Sequence, residues 1–408
     1  MQSVSIGRQP VLDGDLNLCS YEVLYQGSEA ALNRYTSASI INNVLNKFGT
    51  HSLLGERQAF VKIDEKFLLH DIIFSIPKEF FIFSILSDIE LTARVIERIE
   101  QLHEKGYTLS LDNVVLQDSS IEKYRPILEQ LSFVKVNVSK SETTILTSLI
   151  KTLQSNMITV VADNVKSLVE YEKARQFGCQ WFQGYFFVEP KIIKNAKYEP
   201  SQMVILKLYN LIMQDVNIDE ITKEFENNHE VTLQLLQFIN SGAFHFQNKI
   251  SSVHHILTLV GRIPLGQWLM LMVYSKSISK EGQSPLMLIV KNRTSLMESI
   301  LRVINPNAKS NMLGEAYFVG VLSLIDTVYG MKLNEVLKHI NISIEVKEAI
   351  LYHKGILGEI LALIKEIEFF NPEAVDEFEK EHSLKTASIE KLVVESMKDL
   401  TEFERLSA

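Results

Sequence analysis

Residues 91–113, LTARVIERIEQLHEKGYTLSLDN, change their period halfway. Leu91, Val95, Ile99 and Leu102 recur at helical spacing, and Gly106 supplies a stop. YTLSLDN (107–113) then reads as a short apolar strand. The same unit returns further on, where VKSLVEYEKARQFG ends at Gly178 and WFQGYFF (181–187) follows. Other strand candidates are AFVKI (59–63), FFIFSIL (80–86), FVKVNV (133–138) and MITVVAD (157–163), all rich in Val, Ile and Phe. Repeated strand–helix units imply a parallel sheet with helices outside, and six or more in one domain point to a (β/α) barrel.

From about Ser201 the strand-like runs disappear. SQMVILKLYNLIMQ is an amphipathic helix, and helices are expected over 219–226, 231–240, 251–260, 264–278, 285–304, 311–329, 333–339, 343–353 and 356–368. A last helix, 388–406, follows the acidic EAVDEFEKEH; it is expected either to cover its own domain or to pair with a partner. YEPSQ (198–202) marks the boundary, giving a barrel over 1–198 and an all-α domain over 199–408. The fold class is therefore α/β followed by all-α.

With 408 residues, two domains are the natural expectation. A formal net charge of −9 disfavours a dedicated nucleic-acid binder. Cys19 and Cys179 are the only cysteines, too few for a disulfide framework, which suits a reduced cytoplasmic protein. The opening MQSVSIGRQPVLDGD has no signal-peptide pattern. The longest apolar stretch, near LGQWLMLMVYS, is shorter than the roughly 20 residues of a membrane span.

In such a barrel the reactive groups sit at the C-terminal ends of strands. Polar residues there are Glu22, Lys62, Ser84 with Ser87, Asp112 with Asn113, Lys135 with Asn137, Asp163 and Gln183. Glu22 is unexpected, because YEVLY otherwise reads as a buried strand and an unpaired carboxylate is costly to desolvate.

The order of these residues resembles an EAL domain, the bacterial phosphodiesterase barrel that cleaves cyclic di-GMP with two metal ions. RQPVLD (8–13) resembles its opening strand, and YEVL (21–24) stands at the Glu-Ala-Leu signature. LSLDN (109–113) stands at the Asp-Asp-Phe segment and FVKVN (133–137) at the Lys strand. VVADNVK (160–166) and FQGYFFVEP (182–190) match the two closing motifs. The resemblance implies metal ligands at several positions where this sequence departs. Glu22 is kept, but the Asn position is Lys62 and the third-strand Glu is Ser84, with Ser87 three residues on. The Asp pair is Asp112 and Asn113, the later Glu is Asp163, and its companion is Lys166. The phosphate-gripping Arg is Gln26, while Lys135 and Gln183 are retained. Mg²⁺ prefers hard oxygen ligands, typically including carboxylates. The expectation is a barrel that binds catalytic metal weakly or not at all and carries no cofactor. Either Glu22 and Asp112 pair with Lys62, whose ammonium takes the place of the ion, or Lys62 points to solvent and Glu22 is half-wet.

Residues 201–370 resemble the HDOD domain, a helical relative of the HD phosphohydrolases without their metal ligands. The resemblance rests on Asn240 and Ser241, Ser251 and Ser252, Gly261 and Trp268, and on EAYFVGVLSLIDTVYGM (315–331). His254 and His255 are adjacent and diverge by about 100° on a helix, a poor pair for one ion. His245, His339, His353 and Asp326 form no metal-ligand spacing. Asn240 and Ser241 either cap and turn the chain or serve recognition.

Three functions fit. The first is a catalytically inactive EAL barrel coupled to an HDOD module, acting through other signalling proteins, with a homodimer possible by analogy. The second is a receptor that binds cyclic di-GMP or another nucleotide without cutting it, with Lys62, Lys135 and Lys166 attracting phosphate. The third is a weak phosphodiesterase built on Glu22, Asp112 and Asp163.

Overall fold

A computed structural model describes residues 4–27, 41, 49–115, 120–141, 143–188, 200–214, 216–240, 252–275, 285–340 and 342–407. Eight strands close into a barrel in chain order: β1 (Val4–Asp13), β2 (Leu18–Gly27), β3 (Ala59–Ile63), β4 (Phe81–Leu86), β5 (Thr108–Val114), β6 (Phe133–Val136), β7 (Thr159–Ala162) and β8 (Trp181–Gln183). Strands β2 to β8 pair in parallel. β1 departs from the expected all-parallel sheet, running antiparallel to both β2 and β8. The reason is the connection. Only Gly14–Asn17 join β1 to β2, whereas a parallel crossover needs a dozen residues or more. Asp13 Oδ1 closes this hairpin by accepting from the backbone N–H groups of Asp15 (2.9 Å) and Asn17 (2.8 Å).

The crossover over residues 91–113 forms as its periods dictate. The helix Ala93–Glu104 is capped by Thr92, whose hydroxyl accepts from Val95 N–H, and it buries Val95, Ile99 and Leu102. WFQGYFF is only partly strand: β8 stops at Gln183, and Phe186–Val188 turn into a 3₁₀ helix. The break lies at Gly184, whose φ of +145° brings the chain directly over the backbone of Val165.

The C-terminal half of the described chain is helical. Most expected helices form within a few residues of their predicted ends, including Val253–Val260, Pro285–Ile304 and Ile344–Tyr352. The predicted helix 311–329 is instead two, Ser310–Leu322 and Ile325–Tyr329. Buried Ser323 sits at the break, donating to Gly320 O and accepting from the Arg293 guanidinium, each at 2.8 Å. The acidic stretch before the last helix is itself helical, Pro372–Glu381, capped by Asn371.

The chain divides into two compact units. One comprises Met1–Glu189, Ser279–Pro285 and Lys365–Ala408; the other comprises Pro190–Ile278 and Leu286–Ile364. The last helix, Ser388–Ser407, was expected in the helical domain (199–408) but packs on the barrel, against β1 and the helix Thr50–Leu54. Among the described residues no single helix is long and apolar enough to cross a membrane.

Candidate functional site in the barrel mouth

The barrel interior is layered, and the layers follow from strand alternation. Val11, Phe60, Ile82 and Val161 form a buried cluster, with Phe133 and Trp181 packed against it. Phe133 lies 5.3 Å from Phe60 and 4.9 Å from Trp181, centroid to centroid. This apolar plug fills the lower barrel. Side chains two residues apart share a face of a strand. Two residues on from Phe60, Ile82, Phe133, Val161 and Trp181 stand Lys62, Ser84, Lys135, Asp163 and Gln183. On the antiparallel β1 the step runs backwards, from Val11 to Gln9, which pairs with Glu22 on β2. A polar ring thus lies directly above the plug.

Glu22 is at the centre of that ring and only 1% exposed. Its Oε2 lies 3.1 Å from Lys135 Nζ and also accepts from the Gln183 amide. Gln183 accepts from Lys135 Nζ through Oε1 (2.8 Å) and donates to Gln9 Oε1 (2.8 Å). Lys135 is fully buried, its ammonium 4.2 Å from the centroid of the Phe60 ring. Lys62 Nζ stands between two carboxylates, 3.5 Å from Glu22 Oε1 and 3.6 Å from Asp112 Oδ2. Its side chain remains 44% exposed, so Lys62 pairs with both carboxylates and still reaches solvent, while Glu22 is dry rather than half-wet. Asp112 is fully buried, and its Oδ1 accepts from Asn113 N–H at 2.6 Å. Ser84 Oγ is buried and, among the described residues, makes no hydrogen bond.

The charges explain one another. Burial alone would raise the Glu22 pKa, but Lys135 and Lys62, with the Gln183 hydrogen bond, hold it below its ordinary value. Stability from Glu22 is therefore present above the unfolded carboxyl pKa, about 4.3, and is lost as pH falls through the lower folded value. Burial would lower the Lys62 pKa, but Glu22, Asp112 and Asp163 outweigh it and raise it, so the ammonium stays charged. Asp163 goes the other way. Burial pushes its carboxyl up, Lys135 opposes this, and the Asp112 and Glu22 carboxylates push further up. The fold thus disfavours the Asp163 carboxylate once pH exceeds its unfolded value. Asp163→Asn is expected to be as stable as the parent or more so at pH 7, with any gain shrinking towards pH 3. Urea unfolding at both pH values checks this, and a marked loss at pH 7 would contradict it.

Some sequence candidates stand elsewhere. Asn113 is exposed, with a φ of +56°, where the β5–β6 register shifts between Leu111 and Val114. Ser87 Oγ donates to Asn113 O at 2.9 Å, bracing that irregularity. Lys166 is exposed, and its backbone N–H donates to Glu170 (2.7 Å); among the described residues its ammonium forms no ion pair. The Gln26 side chain lies outside the described residues. In the helical half, Ser252 caps Val253–Val260, its hydroxyl accepting from His255 N–H at 3.3 Å. Gly261, with a φ of +85°, separates that helix from the next, and the two axes bend by 116°. Trp268 is a core side chain, 6% exposed. Ser241, Ser251 and the Asn240 side chain lie outside the described residues. Among the described residues no three His, Cys, Asp or Glu side chains group as metal ligands. Gln9 escaped the sequence reading, although RQPVLD alternates and Gln9 shares parity with Val11.

The EAL domain family matches residues 62–190, and the HDOD domain family matches residues 201–344. The chain is 28% identical over 380 residues to the uncharacterised protein YuxH of Bacillus subtilis, covering 90% of this chain and 91% of that one. It is 24% identical over 373 residues to the cyclic di-GMP phosphodiesterase CdgJ of Vibrio cholerae, covering 89% of this chain and 84% of that one. A solved structure of the Bacillus subtilis YkuI protein, with an EAL domain, in complex with c-di-GMP and calcium, is similar at 14% identity and a TM-score of 0.39. That likeness covers 58% of this chain and 64% of the solved one, so the chain spans less than two thirds of YkuI.

Proposed function

We propose that this chain, an EAL domain joined to an HDOD domain, is a cytoplasmic signalling protein whose barrel does not cleave cyclic di-GMP. Its output passes through contacts with other proteins in cyclic di-GMP-related regulation of motility, surface attachment or virulence. One observation carries this reading: the Lys62 ammonium lies within 3.6 Å of both Glu22 and Asp112. Those two carboxylates are the hard oxygen donors that a divalent ion would use. A fixed ammonium about 4 Å from a cation opposes it by about 4 kcal/mol per unit charge at an effective dielectric of 20. Ser84 and Asn113, neutral where the resemblance implies acids, reduce the attraction further. The donor set does not fit a pair of metal ions, and no catalytic step is assigned to one.

A second reading, weak phosphodiesterase activity, draws on the likeness to CdgJ and on the retained Glu22, Asp112, Lys135 and Gln183. Incubation of the full chain with cyclic di-GMP and Mg²⁺ or Mn²⁺ separates the two. The expected result is no linear product above the buffer rate. Turnover that disappears in Glu22→Ala would establish the second reading instead.

A further inference from the structure

Because β1 and β2 are joined by a hairpin, no crossover helix between them is available to cover their outer face. Tyr21 and Val23 on that face are buried nonetheless. Tyr21 is 4% exposed, with the Arg8 guanidinium 4.4 Å from its ring centroid. The cover is the helix Ser388–Ser407. Arg8 donates to Thr401 Oγ1 at 2.9 Å and to Leu53 O. Glu404, 5% exposed, accepts from the Tyr21 hydroxyl with one oxygen and from Arg57 Nη1 at 2.6 Å with the other. Buried Glu379, on the preceding helix, accepts from Ala387 and Ile389 N–H groups at 3.0 and 2.8 Å and fixes where the last helix begins.

A carboxylate buried between a phenol and a guanidinium is not generic packing, since burying it without both partners would be costly. Its place on β2 matters too. Tyr21 and Glu22 are neighbours on opposite faces of one strand. Tyr21 faces Glu404 outside the barrel, while Glu22 faces Lys135 and Lys62 inside. The helix belongs to the same compact unit as the strands it covers, which takes in Met1–Glu189 and Lys365–Ala408.

We propose that Ser388–Ser407 is the outer helix that the β1–β2 hairpin lacks, latched by Glu404, and that Glu404 is a positioning residue holding β2, and with it Glu22, against Lys62. Hydrogen exchange on the full chain tests this, read beside acylation of Lys62 by a soluble amine-reactive reagent. In Glu404→Ala, amides of β2 and of Ser388–Ser407 should exchange about ten- to hundredfold faster, the range expected when a buried charged hydrogen bond is lost. Lys62 should label faster, because its carboxylate partner is held less firmly. Glu404→Gln, which keeps an acceptor for Tyr21 but not the charge for Arg57, should fall between. Helices Val253–Val260 and Pro285–Ile304 should exchange as in the parent, as should the whole chain in Lys391→Ala, a change at an exposed position on the same helix. If Glu404→Ala cannot be purified folded, Glu404→Gln and Thr401→Ala carry the comparison. Unchanged β2 exchange and Lys62 labelling, or an equal loss of protection in both units, overturns the proposal.

Discussion

Gly184→Ala should destabilise the barrel by about 3 kcal/mol or more, one of the largest effects of any single methyl group in this chain. Two causes add. The φ of +145° belongs to a region that L side chains rarely adopt, and a Cβ there would sit 1.9 Å from Val165 O. That atom is backbone and cannot rotate away. Val165 N–H donates to Gln183 O at 2.9 Å, so a shift at residue 184 propagates to the residue that holds Glu22 and Lys135. Chemical denaturation followed by circular dichroism should show the barrel transition at lower denaturant. A stability equal to the parent's would mean that this crossing is looser than described.

Lys135→Ala should cost a comparable amount, roughly 3–5 kcal/mol, because it removes the buried partner of Glu22 and leaves that carboxylate only the half-exposed Lys62 as a counter-charge. Lys135 is fully buried and Glu22 nearly so, which leaves Glu22 Oε2 with only the Gln183 amide. The fold can escape by protonating Glu22. The loss should therefore be greatest at pH 7 and smaller near pH 4, opposite to the parent, in which the low Glu22 pKa makes acid destabilising. A Lys135→Met, Glu22→Gln double variant should lose less than the sum of the two single changes. Additive losses would show that the pair is not coupled.

Most of the barrel was legible because its signals are local. The rule that reactive groups stand at the C-terminal ends of barrel strands picked out Lys62, Ser84 and Lys135 before any contact was known. The resemblance supplied the order of the motifs, and charge complementarity alone suggested that Lys62 would lie near Glu22 and Asp112. The antiparallel β1 was not read from the strand–helix pattern, since a single hairpin at the start is outvoted by the units that follow. The end of β8 was hidden because FFV is as apolar as a strand and only the close approach at Gly184 breaks it. Nothing near residue 404 announces a partnership with Tyr21, more than 380 residues earlier. An amphipathic helix reveals that it has a buried face but not which surface buries it. The same limit hid Asn113, whose outward position follows from a register shift that no residue pattern encodes.

The Lys62 ammonium stands between Glu22 and Asp112, where the EAL resemblance implies a metal ion. Isothermal titration of Mg²⁺ into the full chain, beside Lys62→Ala, tests this replacement most directly. The parent should give no saturable heat at millimolar Mg²⁺, whereas the variant, with that positive charge removed from the ring, should bind one ion weakly. Saturable binding of two ions by the parent, unchanged in Lys62→Ala, would contradict the account.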